Sequence, residues 1–286
     1  MTLLDLIERC SARLLEAGVS FGHGTTNAFD EAVWLALWRL GLPLDDLDGV
    51  ADRELNGAEH AAIEALVDER IRSRKPAAYL TGEAWLQGLP FFVDERVIVP
   101  RSLIAEPLAD GVLDACLVEE PRRVLDLCTG NGSLAVLAAL AWPGAAVDAT
   151  DLSADALAVA RRNVERHALT DRIRLRQGDG LATAEGRYDL ILCNPPYVNQ
   201  DSMANLPPEY RAEPALALAG GVDGMDFVRT LLAGAAAHLQ PQGLLVLEIG
   251  HERAHFEAAF PTLQPLWLNT SAGDDQVLVL SRELLP

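Results

Sequence analysis

No stretch of the sequence approaches the ~18–20 consecutive apolar residues that cross a membrane; the longest candidates, 133–142 and 243–250, are too short. Cysteine is scarce: Cys10, Cys116, Cys128 and Cys193 are the only four, with no CxxC pair and no regular spacing. That argues against a zinc ribbon or a disulfide framework, and points to a reducing cytosol. Basic residues are also in deficit, 23 Lys and Arg against 42 Asp and Glu, for a net charge of −19. Direct, sequence-specific nucleic-acid binding needs cationic surface to neutralise phosphates, so it is not expected. A basic protein partner is compatible with such a charge. The first residues, Met1 to Glu8, carry acids and lack a basic leading segment, so no secretory leader is expected. Internal repeats and low-complexity tracts are absent as well.

What is present suits a globular α/β protein: 286 residues, half of them apolar, in strand-like runs that alternate with helical ones. The first ~80 residues read as helices. Leu3, Leu6, Ile7, Cys10, Leu14 and Ala17 recur at helical spacing, and Gly18 is a plausible stop. Asn27 caps a second helix from Ala28 to Leu40, closed by Gly41. Asn56-Gly57-Ala58-Glu59 has the form of a capping box, opening a third that runs to about Arg74. Between Leu86 and Val99 the pattern changes. Phe91–Val93 and Val97–Val99 around Asp94-Glu95-Arg96 suggest a hairpin. Beyond Leu103, strands are expected at 123–127, 145–150, 173–177, 188–193 and 244–249, with weaker ones near 266–269 and 276–280. Helices fall between, notably 153–167 and 223–239. The expected division is a helical domain over 1–82, a hairpin linker over 83–100 and a catalytic domain over 101–286, built on a doubly wound parallel sheet. Such sheets bind ligands at their carboxyl ends, where strand order reverses.

Val124-Leu125-Asp126-Leu127-Cys128-Thr129-Gly130-Asn131-Gly132 runs from a strand into a helix. Gly130 and Gly132 let a ligand approach the backbone. Alone, they also fit a dinucleotide fingerprint, with Asp151 where a ribose-binding acid belongs. Asp126 tilts the reading. The dinucleotide fold sets a pyrophosphate at this turn, and a carboxylate beside it is repulsive. A cofactor carrying a sulfonium and an ammonium welcomes one, and S-adenosylmethionine is such a cofactor. Asp151 is then suited to the two ribose hydroxyls, and Asp179 to the adenine amine.

Asn194-Pro195-Pro196-Tyr197 ends another strand. Two prolines fix two φ angles and remove two donors, and Pro195 biases Asn194 to extended geometry. The result is a rigid platform carrying an amide and an aromatic ring. A planar NH2 group is a poor nucleophile with two donors to place. The Asn194 side-chain oxygen and the Pro195 carbonyl are candidate acceptors, and Tyr197 can stack on the flat group. Orientation and acceptors that strengthen as charge develops on nitrogen then supply the rate, without need of a metal or a covalent enzyme intermediate.

In this order and on these strands, Asp126-x-x-x-Gly130-x-Gly132, Asp151 and Asn194–Tyr197 resemble the S-adenosylmethionine-dependent methyltransferases that modify planar amino groups. The helical start, the hairpin, Glu213-Pro214 and Gly220-Gly221-Val222-Asp223-Gly224 are similar to the bacterial protein-glutamine methyltransferases. This resemblance covers nearly the whole chain. It implies a Rossmann-like sheet of seven strands with an antiparallel last strand, and a helical domain that recognises the substrate. It also implies methylation of a glutamine side-chain amide, with S-adenosylhomocysteine as product and no metal. The implied cofactor residues are Asp126, Cys128, Thr129, Gly130, Gly132, Asp151, Asp179, Gly180 and Asn194. Asn194, Pro195, Pro196 and Tyr197 would hold substrate, with Asn194, Pro195 and Tyr197 catalytic. Gly22–Ala32 and Val93–Ser102, with Glu106 five residues after Arg101, are similar to the branch acting on large-subunit ribosomal protein L-three, free or in the immature subunit. The branch acting on release factors is the alternative. Against the family pattern, Cys128 stands where many relatives carry glycine, and Gly180 where a larger apolar residue is common.

Other functions fit less well. An adenine methyltransferase would share the Asn194–Tyr197 platform, but the acidic charge and the missing basic segment count against it. Asp126 and the proline platform count against a nicotinamide-dependent dehydrogenase, and the intact platform against a non-catalytic binding protein. His251-Glu252-Arg253-Ala254-His255 matches a zinc-protease string but reads as a solvated helix start. His23, between two glycines, reads as a turn residue. Cys193 reads as a small buried strand residue with no base in register to activate it.

Overall fold

The computed structural model describes residues 1–286, which divide into two units: Met1–Ala84 with Leu206–Ala212, and Trp85–Asn205 with Glu213–Pro286. The strip 206–212 belongs to the first unit although it follows the Asn194–Tyr197 element in the chain.

The first unit is built on three longer helices, α1 (Leu3–Glu16), α2 (Ala28–Leu40) and α3 (Gly57–Ser73). Their ends follow the capping chemistry of the sequence. The Thr2 hydroxyl accepts from the Asp5 amide, and the Asp5 carboxylate from the Thr2 amide. The Asn27 side chain accepts from the Asp30 amide, and Gly41 closes α2 in the left-handed conformation. Asn56 and Glu59 form the expected capping box. Leu3, Leu6, Ile7, Cys10 and Leu14 are buried, as are Leu35, Ile63 and Val67. A buried cation lies inside this unit, between two buried acids. Arg70 is wholly buried and donates to Glu31 (2.8 Å), Glu209 (3.3 Å) and the Ser20 carbonyl (3.0 Å). Arg74 also reaches Glu209, at 2.7 Å.

The hairpin lies earlier than the sequence suggests. Its strands are β1 (Glu83–Leu86) and β2 (Leu89–Phe92). Gln87 and Gly88 both have positive φ (49° and 72°), the two-residue turn that matches strand twist. Residues 93–99 form no strand. Asp94 spends its carboxylate on its own loop, accepting from the Arg96 amide and guanidinium, so that segment turns without pairing.

The second unit holds a seven-stranded sheet of β3 (Arg123–Leu127), β4 (Ala146–Asp151), β5 (Ile173–Gln177), β6 (Tyr188–Cys193), β7 (Leu239–Glu248), β8 (Leu266–Thr270) and β9 (Gly273–Ser281), in the order β5-β4-β3-β6-β7-β9-β8. Neighbouring strands from β5 to β7 are parallel. The last strand, β9, runs antiparallel to both β7 and β8, as the resemblance implied. β7 starts at Leu239, with an irregularity in its pairing between Tyr188 and Leu190; the expected start at Leu244 marks where regular pairing resumes. Three longer helices cover the sheet: α4 (Ser133–Ala141), α5 (Ala154–Arg166) and α6 (Asp226–His238). Alternation along the strands separates two apolar cores. Val124, Leu190, Leu192 and Val246 pack with α4, and Leu125, Leu127, Ile191, Cys193, Leu245 and Leu247 with α6. Chain order reverses between β3 and β6, which places their carboxyl ends at the crevice where such sheets take ligands.

Candidate active site

A cavity open to solvent lies at these carboxyl ends. Seven of the residues singled out above line it: Cys128, Gly130, Asp151, Asp179, Gly180, Asn194 and Pro196. They come from the ends of four strands, β3, β4, β5 and β6.

Gly130 has φ 56° and a Cβ built there would meet nothing nearer than the Cys128 carbonyl oxygen, at 4.0 Å, so the loop presents bare backbone to the cavity. Its amide is already committed, donating to Asp151 Oδ2 at 2.9 Å, while the Ser153 amide donates to Oδ1 at 2.8 Å. Burial raises the Asp151 pKa, and these amides oppose the rise. Each carboxylate oxygen keeps a lone pair for another donor. Cys128 has φ 57°, a left-handed conformation that costs a residue with a Cβ about 1 kcal/mol. This is a physical reason for glycine at that position. The small residue at Gly180 is backed by the Phe227 ring, 3.6 Å from where a Cβ would sit, and Phe227 itself lines the cavity. Asn194 follows Cys193, which pairs with Leu127. No other residue engages the Asn194 amide in a hydrogen bond, so both its polar atoms remain available.

Asp126, Thr129, Gly132, Pro195 and Tyr197 do not line the cavity. Asp126 is wholly buried. Its Oδ2 accepts from the Thr129 hydroxyl (2.5 Å) and from the Ala135 amide in the first turn of α4 (3.1 Å), while Oδ1 is buried with no partner. Burial pushes its pKa up to about 7. Thr129 therefore holds Asp126. Gly132 meets α5: a Cβ there would sit 3.2 Å from the Ala160 Cβ. Pro195 is buried. The Tyr197 hydroxyl donates to Glu248 Oε1 at 3.1 Å.

S-adenosylmethionine fits these residues on two observations. The bare Gly130 backbone leaves a cradle that any side chain would fill, and a buried carboxylate oxygen of Asp126 lacks a partner beneath the same loop, a deficit that a cation relieves.

Sequence reasoning missed Phe227, the 96–98 segment, Leu216 and Ala217, all in the cavity wall, and Glu248. Two motifs noted for their resemblance prove to be partners. Glu213 accepts twice from Arg101 (2.6 and 2.7 Å) and once from the Val99 amide (2.9 Å), which fixes Pro214 in the cavity wall. Glu106, the branch-marking acid, accepts from the Ser271 amide and hydroxyl. The zinc-protease string is otherwise employed. Glu252 is buried and accepts from Asn199 at 2.6 Å and contacts His255 at 2.5 Å. Cys193 is buried as expected, its thiol pKa pushed up by burial. His23 is buried too, its ring 4.2 Å from that of Tyr210.

Sheet order and strand-end site together define a Rossmann-like methyltransferase. The methyltransferase small domain family matches residues 109–206. Solved structures share the fold: a methyltransferase from Pyrococcus furiosus (TM-score 0.50, 20% identical, covering 69% of this chain and 90% of that one), and the hMettl16 catalytic domain (TM-score 0.53, 15% identical, 79% and 81%). The more similar relatives are full-length matches. The ribosomal protein uL3 glutamine methyltransferase of Bordetella pertussis is 58% identical, over 99% of this chain and 96% of that one. Its namesakes from Burkholderia pseudomallei and Neisseria gonorrhoeae are 52% identical (100% and 96%) and 48% identical (99% and 95%). The chain belongs to the family of ribosomal protein uL3 glutamine methyltransferases.

Proposed function

We propose that this protein methylates the side-chain amide nitrogen of a glutamine in ribosomal protein uL3, with S-adenosylmethionine as donor, in the cytoplasm. The full-length similarity to proteins of that name carries the reading. The site supports it through Asn194, an unengaged amide in the wall of the cavity that Gly130 and Asp151 also line.

S-adenosylmethionine, when bound, supplies an electrophilic methyl group on a positive sulfonium. Gly130, Cys128 and Asp151 would hold it, with Asp179 and Gly180 on the adenine side and Asp126, braced by Thr129 and the turn at Gly132, beneath the loop. Asn194 Oδ1 and the Pro195 carbonyl accept the two amide hydrogens of the substrate glutamine, turning its nitrogen toward the donor. Pro196 and Tyr197 bound the platform. Transfer would exchange an S–CH3 bond of the donor for an N–CH3 bond, leaving S-adenosylhomocysteine; these acceptors would stabilise the positive charge that passes from sulfur to nitrogen until one amide proton is lost to solvent. The protein substrate is uL3 either free or within the immature large subunit.

Incubation with labelled S-adenosylmethionine and either free uL3 or immature large subunits, followed by mass spectrometry, tests the reading. Label on a glutamine amide of uL3 is expected. Label on RNA, or on release factors alone, overturns it. The Asn194→Ala variant is expected to lose about a hundredfold or more in kcat while retaining most of its cofactor affinity; unchanged turnover excludes the assigned role.

A further inference from the structure

Glu248 is the last residue of β7, and its neighbour Leu247 pairs with Cys193, the residue before Asn194. It stands level with the start of the Asn194–Tyr197 element, yet it is only 3% exposed. A carboxylate so placed demands donors, since desolvation penalises its charge. Burial raises its pKa, and the hydrogen bonds around it act the other way. Those bonds are specific. Oε2 accepts from the Ser102 hydroxyl (2.6 Å) and the Leu103 amide (2.9 Å). Oε1 accepts from the Tyr197 hydroxyl (3.1 Å).

The rest of Tyr197 is equally confined. A Cβ at Gly250 would lie 2.5 Å from its ring, and one at Gly224 would lie 2.3 Å from its carbonyl oxygen. The next residue is pinned as well: the Val198 amide donates to the Leu218 carbonyl (2.8 Å), and the Gly220 amide to the Val198 carbonyl (2.9 Å). Backbone and ring face are thus closed in by close approach. Rotation of the ring in its plane, and its lean toward or away from Asn194, are opposed by the hydroxyl bond to Glu248. Glu248 does not act on substrate directly, because it is buried with both carboxylate oxygens engaged.

We propose that Glu248 is a positioning residue for methyl transfer: anchored by Ser102 and Leu103, it fixes the Tyr197 ring through its hydroxyl, and so fixes the surface on which the substrate amide lies. This rests on the glutamine-methyltransferase reading above. Removing the bond should leave substrate and cofactor binding nearly intact and lower the fraction of bound substrate in reactive alignment, which kcat reports.

The experiment is a double-mutant cycle on the full chain with Glu248→Gln, which keeps the shape, and Tyr197→Phe, which removes only the hydroxyl. Each single variant is expected to lose about tenfold in kcat, with the KM for uL3 and the affinity for S-adenosylhomocysteine within about twofold of the parent. The double variant should be no slower than the worse single one, because both changes break one bond. Losses that multiply overturn the proposal, as does an unchanged kcat in Tyr197→Phe. If Glu248→Gln lowers thermal stability, Ser102→Ala replaces it in the cycle, with the same coupling expected and the same multiplicative outcome excluded. A parent chain that fails to methylate uL3 refutes the functional reading instead. A parent that works, with additive variants, refutes only the role of Glu248.

Discussion

Asp126 shows how one residue can serve two states. The sequence suggested a carboxylate at the cleft. In the structure it lies under the glycine loop, accepts from Thr129 and the start of α4, and keeps one oxygen without a partner. Burial raises its pKa from 3.8 to about 7. A carboxyl group with a raised folded-state pKa binds more protons folded than unfolded across this interval, so its contribution to stability falls as pH rises from about 4 to about 7. Asp126→Asn keeps an acceptor for both donors and cannot ionise. It is expected to stabilise the free protein by about 1–3 kcal/mol above pH 7 and to gain little near pH 4, as urea titrations across that range will read. Cofactor affinity should fall in the same variant, since a cation would have been paired with the ionised form. A pH-independent gain would show that Asp126 is not the titrating group.

At the level of elements, most boundaries were legible because local chemistry decides them. Asn27 and Asn56 cap helices in the structure through the side-chain oxygens that made them recognisable. β3, β5 and β6 fall where apolar runs meet their breakers. The hairpin was misplaced because Gln87 is an uncommon residue at positive φ, and Asp94-Glu95-Arg96 carries the commoner turn composition. Glu248 was illegible for another reason. Its partners Ser102 and Tyr197 are 146 and 51 residues away, and no local pattern encodes such a meeting. The same holds for Arg70. Its sequence context is a solvated helix end, but it is buried between Glu31 and Glu209. Burial raises the Glu31 pKa, and Arg70 opposes the rise. Arg70→Met leaves two buried acids without that cation and should cost about 3–5 kcal/mol. Chemical unfolding at pH 7 measures this, and the deficit should shrink toward pH 4 as Glu31, whose pKa is raised by burial, takes up a proton. A loss under 1 kcal/mol would show that Arg74 alone neutralises Glu209.

Across the molecule, the charge of −19 bears on how a protein substrate is met. A ribosomal protein that binds RNA needs cationic surface to neutralise phosphates, and an acidic enzyme draws such a surface toward it. The value of kcat/KM for uL3 is expected to fall several-fold between 50 and 300 mM salt, through KM more than kcat, because screening weakens long-range attraction more than short-range contacts within the site. Steady-state assays over that range decide it; salt-independent KM values would remove charge from the account of recognition.

The strip Leu206–Ala212 sets a timetable. Arg70 is made early in synthesis, but Glu209 follows 139 residues later. At the usual pace of about 5–20 residues per second, the helical unit waits many seconds for its last acid. During that interval α1, α2 and α3 can form, but the cation at their centre lacks one of its two counter-charges. The N-terminal unit is therefore completed only after β3 to β6 and the Asn194–Tyr197 element have left the ribosome. The order in which this chain is written is not the order in which its parts are finished.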